Sequence, residues 1–144
     1  MIVAFIEYKV NPVSFGHGLL KFSKLQEDAL KICDRFDALL VDKETVKSLE
    51  ELALAEFLAK KSFSEGSNIA KKFKYEFLLW LTGKRDIKSA MKISEPRDKK
   101  VLLILFEKKE KKKLLNELNA KERKFKLKEN ADALALEKIS LSRI

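Results

Sequence analysis

Three short apolar runs, rich in β-branched and aromatic residues, constrain the fold of this chain most strongly. They are Ile2–Val10, Phe36–Val41 and Val101–Phe106, and each has the length and composition of a strand rather than of a helix. The segments between them show the spacing of amphipathic helices. This alternation predicts a single α+β domain over residues 1–144, in which helices cover a small mixed β-sheet.

Helices are predicted where apolar residues recur at helical spacing between the strands. Gly83 stands where a helix C-terminus favours a left-handed residue. Ser67-Asn68 supplies the cap at the N-terminus of the same helix. Ser62–Gly66 is predicted as a loop and Lys124–Leu127 as extended chain. The predicted helices cover residues 19–33, 43–61, 68–81, a shorter one that ends at about 93, 107–118, and one from 130 onward.

The same spacing predicts which side chains are buried. Along the helix over 68–81 an apolar residue recurs every four positions, which predicts a buried stripe made of Ile69, Phe73, Phe77 and Leu81. Trp80 lies on the same apolar side, where core packing is favoured over stacking with a nucleic-acid base. The other positions predicted to face the interior are Cys33, Phe57, Ile87, Ala90 and Met91.

The composition excludes several classes of protein. No apolar run approaches the roughly 20 residues that a membrane-spanning helix needs, and the first residues lack the basic segment and cleavage site of a signal peptide. One cysteine and one histidine exclude a disulfide framework and a zinc site made by this chain alone. We therefore expect a cytoplasmic protein with no membrane segment, no metal and no cofactor.

Few residues are candidates for catalysis. Gly16 and Gly18 flank the single histidine, His17, before a helix, which would suit a nucleotide-processing site, but the further residues of a phosphate-binding loop are missing. A simple turn with an exposed histidine is favoured. Asp34, Asp37 and Asp42 flank a strand without the spacing of a calcium loop and are interpreted as solvated loop ends. The sequence predicts no active site.

Positive charge is concentrated in two segments of the chain. The net charge is +9; residues 60–100 hold 12 basic and 5 acidic side chains, and residues 107–128 hold 10 and 4. Residues 1–59 are net negative, with 7 basic and 10 acidic side chains. Such asymmetry indicates a basic face for a polyanion, although a generally charge-rich surface is the alternative.

The basic side chains of residues 60–100 form the candidate polyanion site. Lys84, Lys88 and Lys92 recur once per helical turn, a rise of about 5.4 Å that is comparable to the spacing of phosphates on an extended strand; a merely solvated helix face is the alternative. Residues 107–128 are predicted to act as an auxiliary electrostatic element. The candidate nucleic-acid-binding residues are Lys60, Lys61, Asn68, Lys71, Lys84, Arg85 and Lys88.

A block between residues 68 and 91 resembles a known family. Asn68-Ile69-Ala70, then Glu76-Phe77-Leu78-Leu79, then Thr82-Gly83-Lys84-Arg85-Asp86-Ile87 and Ala90 are similar to the signature of the small kinase-binding subunit of the KEOPS (EKC) complex. The order of predicted strands and helices extends the resemblance over nearly the whole chain. Asp86 stands where the family pattern has Gln, and Ile93-Ser94-Glu95 lacks the Gly often found there.

The resemblance implies a non-enzymatic α/β protein that binds the kinase/ATPase subunit of KEOPS, which helps to make N6-threonylcarbamoyladenosine in tRNA. It also implies binding of tRNA through the single-stranded 3′ CCA end. An adaptor that contacts only proteins is the alternative. The final helix offers a broad apolar face for the kinase subunit, with packing within the chain as the competing explanation; its candidate residues are Leu134, Leu136, Ile139 and Ile144.

Overall fold

The computed structural model describes residues 1–8, 29–97, 100–106, 111–118, 120–124 and 126–143. Its internal contacts form two compact units. The first combines Met1–Lys43 with Pro96–Phe125, and the second combines Glu44–Glu95 with Lys126–Ile144. The α+β class is confirmed, whereas one domain over residues 1–144 stays a prediction.

The first unit contains a four-stranded sheet. Its strands are β1 (Ile2–Tyr8), β2 (Ala38–Asp42), β3 (Lys100–Leu105) and β4 (Ala120–Arg123), in the order β2-β3-β1-β4. Every neighbouring pair is antiparallel, where the sequence predicted a mixed sheet. The reason is that β3 lies between β1 and β2, which run in the same direction without touching. This is the split β-α-β arrangement of ferredoxin-like folds.

One face of this sheet packs against two helices of the same unit. They are α1, described over residues 29–35, and α5 (Lys111–Leu118). Cys33 of α1 and Leu114 of α5 pack with alternate side chains of the central strands. Residues 101–105 of β3 are all buried, which is why this run is continuously apolar in the sequence. Cys33 is buried, as predicted.

The second unit is helical. Its elements are α2 (Leu49–Glu65), α3 (Phe73–Thr82), α4 (Ile87–Ile93) and α6 (Ala133–Ser140). Ser48 and Glu51 form a capping box at the start of α2: the Glu51 N–H donates to Ser48 Oγ (3.2 Å) and the Ser48 hydroxyl donates to Glu51 Oε2 (2.7 Å). Gly83 ends α3 in the left-handed conformation, at φ 71°, which confirms its predicted role.

Several predicted boundaries were wrong. Helix α2 continues through the predicted loop Ser62–Gly66 and ends only at Gly66, which takes the left-handed conformation. Helix α3 begins at Phe73, so Ser67-Asn68 does not cap it. The extended segment of the C-terminal region is β4, which precedes the predicted Lys124–Leu127. Helix α6 begins at Ala133 instead of residue 130, and residues 107–110 of the predicted charged helix lie outside the described residues.

Burial follows the predicted faces in part. Phe77, Leu81, Trp80 and Ala90 are buried, as predicted. Ile69 is 49% exposed because it precedes α3 and so does not share the periodicity of that helix. Two other residues predicted to face inward are also exposed, Phe57 (62%) and Met91 (38%).

Candidate functional site

A cavity of about 520 Å³ lies within the second unit. It is bordered by the last turns of α2, the chain between α2 and α3, one side chain of α3, and the end of α6. The left-handed turn at Gly66 reverses the chain after α2 and so brings residues 67–70 to its rim. The lining residues are Leu58, Lys61, Ser62, Glu65, Ser67, Ile69, Trp80, Arg85, Ser140 and Arg143.

A buried carboxylate, Glu76 of α3, organises the wall of this cavity. Its side chain has no solvent exposure. Oε1 accepts hydrogen bonds from the backbone N–H groups of Ile69 and Ala70, both at 3.0 Å. Oε2 accepts a hydrogen bond from Arg143 Nη1 at 2.6 Å. One side chain therefore ties the turn before α3 to the residues that follow α6.

The hydrogen bonds of Glu76 determine its charge. Burial acts to raise the pKa of the Glu76 carboxyl, but the hydrogen bond and positive charge of Arg143, with the N–H groups of Ala70 and Ile69, outweigh it. The net result is a pKa below the ordinary value. Glu76 is therefore ionised at neutral pH and forms an ion pair with Arg143.

Arg143 is held on two sides. Besides its bond to Glu76, its guanidinium carbon lies 4.1 Å from the centre of the Trp80 ring, which is a cation–π contact. Trp80 is itself fixed, since its Nε1–H donates to Ser62 Oγ at 3.0 Å. The Nε and Nη2 atoms of Arg143 are buried and have no hydrogen-bond partner among the described residues.

Two further contacts hold the end of the chain at the cavity. Arg85 Nε–H donates to the carbonyl oxygen of Ser142 at 3.0 Å. A Cβ at Gly83 would lie 3.1 Å from the carbonyl oxygen of Lys138 in α6, so the backbone of the α3–α4 turn approaches α6 closely. Glycine is therefore required at position 83 both for the left-handed turn and for this approach.

The structure brings together some of the predicted nucleic-acid-binding residues. Lys61 and Arg85 both line the cavity. Asn68 is partly buried and its Nδ2 donates to the Ala70 carbonyl oxygen at 2.8 Å, so it stabilises the turn before α3 rather than capping the helix. The remaining predicted residues are exposed and lie outside the cavity lining: Lys60, Lys71, Lys84 and Lys88.

No site role was predicted from the sequence for Glu76 or Arg143. Glu76 was included in the recognised motif, but only as part of a helix pattern. An acidic residue immediately before the apolar run Phe77–Leu81 is a signal, because a buried carboxylate requires a partner. Nothing in the sequence identifies that partner, which lies 67 positions further along the chain.

The residues predicted to bind the kinase subunit differ in exposure. Leu134 is 79% exposed and Leu136 is partly buried. Ile139 is completely buried, so it belongs to the packing of α6 against α2 and α3 and not to an available surface. Ile144 lies outside the described residues. Leu134, together with the exposed Leu141, is the apolar surface that α6 presents.

Other candidate chemistry is limited. Gly16, His17 and Gly18 lie outside the described residues. Asp42, predicted as a solvated loop end, is instead buried and accepts a hydrogen bond from the Arg97 N–H at 3.1 Å. The described ranges contain no cluster of three histidine, cysteine or acidic residues that would hold a metal ion. Among those same residues, no helix is long and apolar enough to cross a membrane.

Comparison with known proteins gives no family: no protein-family model matches the chain, and no curated protein does either. The features of this chain that bear on function are therefore the cavity, the distribution of charge, and the motif between residues 68 and 91.

Proposed function

We propose that this protein is a non-catalytic, cytoplasmic accessory subunit of a KEOPS complex. It binds the 3′ CCA end of tRNA and the kinase/ATPase subunit, and it thereby supports the formation of N6-threonylcarbamoyladenosine. The observation that carries the proposal is that Lys61 and Arg85, both predicted to contact tRNA, border one cavity together with Trp80 and Arg143.

The cavity has the chemistry that a single-stranded RNA end requires. Unpaired nucleotides are bound by stacking on aromatic rings and guanidinium planes and by cations near their phosphates. The Arg143 guanidinium, which lies over the buried Trp80 ring, supplies such a plane, and Lys61 and Arg85 supply the charge. A volume of about 520 Å³ lies within the ~300–1,000 Å³ typical of small-ligand pockets. The end of a single RNA strand fits such a space, whereas an RNA double helix does not.

The exposed lysines outside the cavity provide general attraction for the rest of the tRNA. Lys84 and Lys88 are exposed on the turn before α4 and on α4 itself, and Lys60 is exposed on α2. Their contacts with phosphates strengthen binding without reading sequence. The cavity would therefore provide specificity for the chain end, and the lysines the affinity that depends on salt.

The motif residues support the resemblance through structure rather than through ligand contact. Asn68 and Glu76 fix the turn before α3, and Gly83 allows α6 to approach. These residues would thus preserve the shape of the cavity. The kinase partner is supported by the resemblance and by the exposed Leu134 and Leu141 on α6 and its final turn.

Binding of intact and CCA-trimmed tRNA to the purified protein tests the RNA part of the proposal. Lys61→Glu is expected to weaken binding of intact tRNA and to reduce the difference between the two RNAs. Lys31→Glu, which changes an exposed lysine of α1 outside both basic segments, is the matched control. Equal binding of both RNAs by the unaltered protein would contradict the CCA assignment.

An adaptor that contacts only proteins is the second candidate, favoured by the 79% exposure of Leu134. Pull-down from native extract, with analysis of both protein and RNA, distinguishes the two. Recovery of the kinase subunit without tRNA, combined with no tRNA binding by the purified protein, would support the adaptor. Recovery of neither would contradict both.

A further inference from the structure

The N–H groups on one edge of the Arg143 guanidinium have hydrogen-bond acceptors, whereas those on another edge have none among the described residues. Nη1 donates to Glu76 at 2.6 Å and also lies 3.4 Å from Ser62 Oγ. Nε and Nη2 have no partner in the described part of the chain. The N–H bonds of Nε and Nη2 are parallel and lie on the same side of the guanidinium. We call this pair of donors the fork; such a pair binds an oxyanion through two parallel hydrogen bonds.

We propose that the cavity is a phosphate-binding site in which Nε and Nη2 of Arg143 hold the phosphate group. Buried donors of a charged group are costly to leave unpaired, and an oxyanion at the fork supplies the missing acceptors. The inference rests on the geometry of the cavity, and it holds whether the phosphate belongs to RNA or to a small molecule.

Arg143 is positioned for this role before any ligand binds. The bond to Glu76 fixes one end of the guanidinium and the Trp80 ring fixes its plane. Little side-chain freedom is therefore lost when a ligand is bound, which favours affinity. Since the two fork atoms are themselves buried, the groups that cover them must move aside before a phosphate reaches them, while the contacts with Glu76 and Trp80 hold the guanidinium in place.

The charges around the cavity favour an anion. Lys61, Arg85 and Arg143 line it, and the acidic group in the lining is Glu65. Arg143 and Glu76, which lies behind the lining, neutralise each other, so the balance rests on Lys61 and Arg85 against Glu65 and is still positive. Hydroxyl groups of Ser62, Ser67 and Ser140 add further polar groups to the lining.

These additional donors favour phosphate over carboxylate. A carboxylate has two oxygens, and the fork alone satisfies them. A phosphate has further oxygens, for which the lining offers the Lys61 ammonium and the Ser67 hydroxyl as donors. The hydroxyls of Ser62 and Ser140 already donate to backbone carbonyl oxygens, those of Leu58 and Leu136. The apolar Leu58 and Ile69 at the same cavity leave room for the organic part of a phosphate ester.

The test uses the fluorescence of Trp80, the single tryptophan of the chain, which contacts Arg143 directly. The full-length protein is titrated at constant ionic strength with inorganic phosphate, adenosine 5′-monophosphate and a short single-stranded RNA that ends in CCA. Sodium chloride provides the control for a general salt effect. We expect a saturable change in emission with at least one phosphate-bearing probe and none with chloride.

Arg143→Lys keeps the positive charge but removes the fork, and we expect it to weaken binding about tenfold or more. Arg35→Lys is the matched control, because Arg35 is an exposed arginine paired with Glu117 at 2.6 Å, and it should bind as the unaltered protein does. If Arg143→Lys fails to fold, Lys61→Gln takes its place, since Lys61 is an exposed lining residue. It should weaken binding severalfold.

The probes also identify the source of the phosphate. Saturation by inorganic phosphate or the mononucleotide indicates a small-molecule ligand, and saturation by the RNA alone indicates the RNA backbone. The inference is refuted if no probe gives a saturable change, or if the Arg143→Lys protein is folded and binds with unchanged affinity. Unchanged affinity of a folded Arg143→Lys protein would refute the phosphate site alone. Binding of intact tRNA with CCA discrimination would still support the proposed function, so a failure of the phosphate site can be told apart from a failure of the proposed function.

Discussion

Replacement of Glu76 by Gln removes the negative charge of an ion pair whose carboxylate is completely buried. The amide oxygen can still accept hydrogen bonds from the Ile69 and Ala70 N–H groups, which Glu76 Oε1 accepts at 3.0 Å. The amide nitrogen, however, would face Arg143 Nη1, which lies 2.6 Å from Oε2. Two donors would then oppose each other, and the guanidinium would lose its counter-charge.

The size of this effect follows from the burial of the pair. Removing one partner of a buried ion pair costs about 3–5 kcal/mol because the other charge is left uncompensated. Glu76 has no exposure, but the Arg143 side chain is 14% exposed and retains its contact with Trp80. We therefore expect the lower end, about 3 kcal/mol. For a chain of 144 residues this corresponds to a fall in Tm of roughly 10 °C.

Urea unfolding followed by circular dichroism measures the change, with Glu117→Gln as the control. Glu117 pairs with the exposed Arg35, so its loss should cost about 0–1 kcal/mol. The double variant Glu76→Gln with Arg143→Met should recover part of the lost stability, because no unpaired charge remains. A loss below about 1 kcal/mol for Glu76→Gln, or no recovery in the double variant, would refute this account of the ion pair.

Four further predictions follow from the same structure. Because the pKa of Glu76 is lower in the folded protein, its stabilising contribution is complete above the ordinary carboxyl pKa and is lost as pH falls through the folded value; unfolding free energies from pH 7 to pH 3 should fall less steeply for Glu76→Gln. Gly83→Ala should cost about 1–2 kcal/mol, measured by urea unfolding, since φ is 71° and the new Cβ meets backbone at 3.1 Å; an unchanged midpoint would contradict the close approach of α6. Leu134→Asp should leave the Tm unchanged, because the side chain is 79% exposed, and should abolish kinase-subunit binding in a pull-down if α6 is the docking surface; retained binding would place that surface elsewhere. Replacement of the lysines at 111–113 by Gln should slow tRNA association at low salt in stopped-flow measurements and have little effect at high salt, whereas a selective loss of CCA discrimination would move the site to α5.

The sequence by itself determined the features that depend on neighbouring residues. Val101–Phe106 predicted a strand, and β3 occupies almost the same residues because a short apolar run that contains β-branched and aromatic residues favours a strand. Gly83 predicted the end of α3, since a left-handed turn favours glycine over residues with a Cβ. The burial of Trp80 and Cys33 was likewise predicted from apolar spacing.

Only the tertiary structure decided the features that depend on distant residues. The antiparallel order of the sheet requires β3, from residue 100 onward, to pair with both β1 and β2, and no local pattern specifies such a pairing. The start of α3 at Phe73, which leaves Ile69 at the cavity rim, likewise differs from the continuous helical spacing in the sequence.

The candidate site shows the same division most clearly. The basic composition of residues 60–100 predicted a polyanion site that includes Lys61 and Arg85, and the structure places both at one cavity. It gave no reason to join Glu76 to Arg143, because an ion pair between residues 67 positions apart exists only after the helices have packed. The net charge of a segment is thus determined by the sequence. The pairing of buried charges is determined by the fold, and so is the pair of Arg143 donors that has no partner among the described residues.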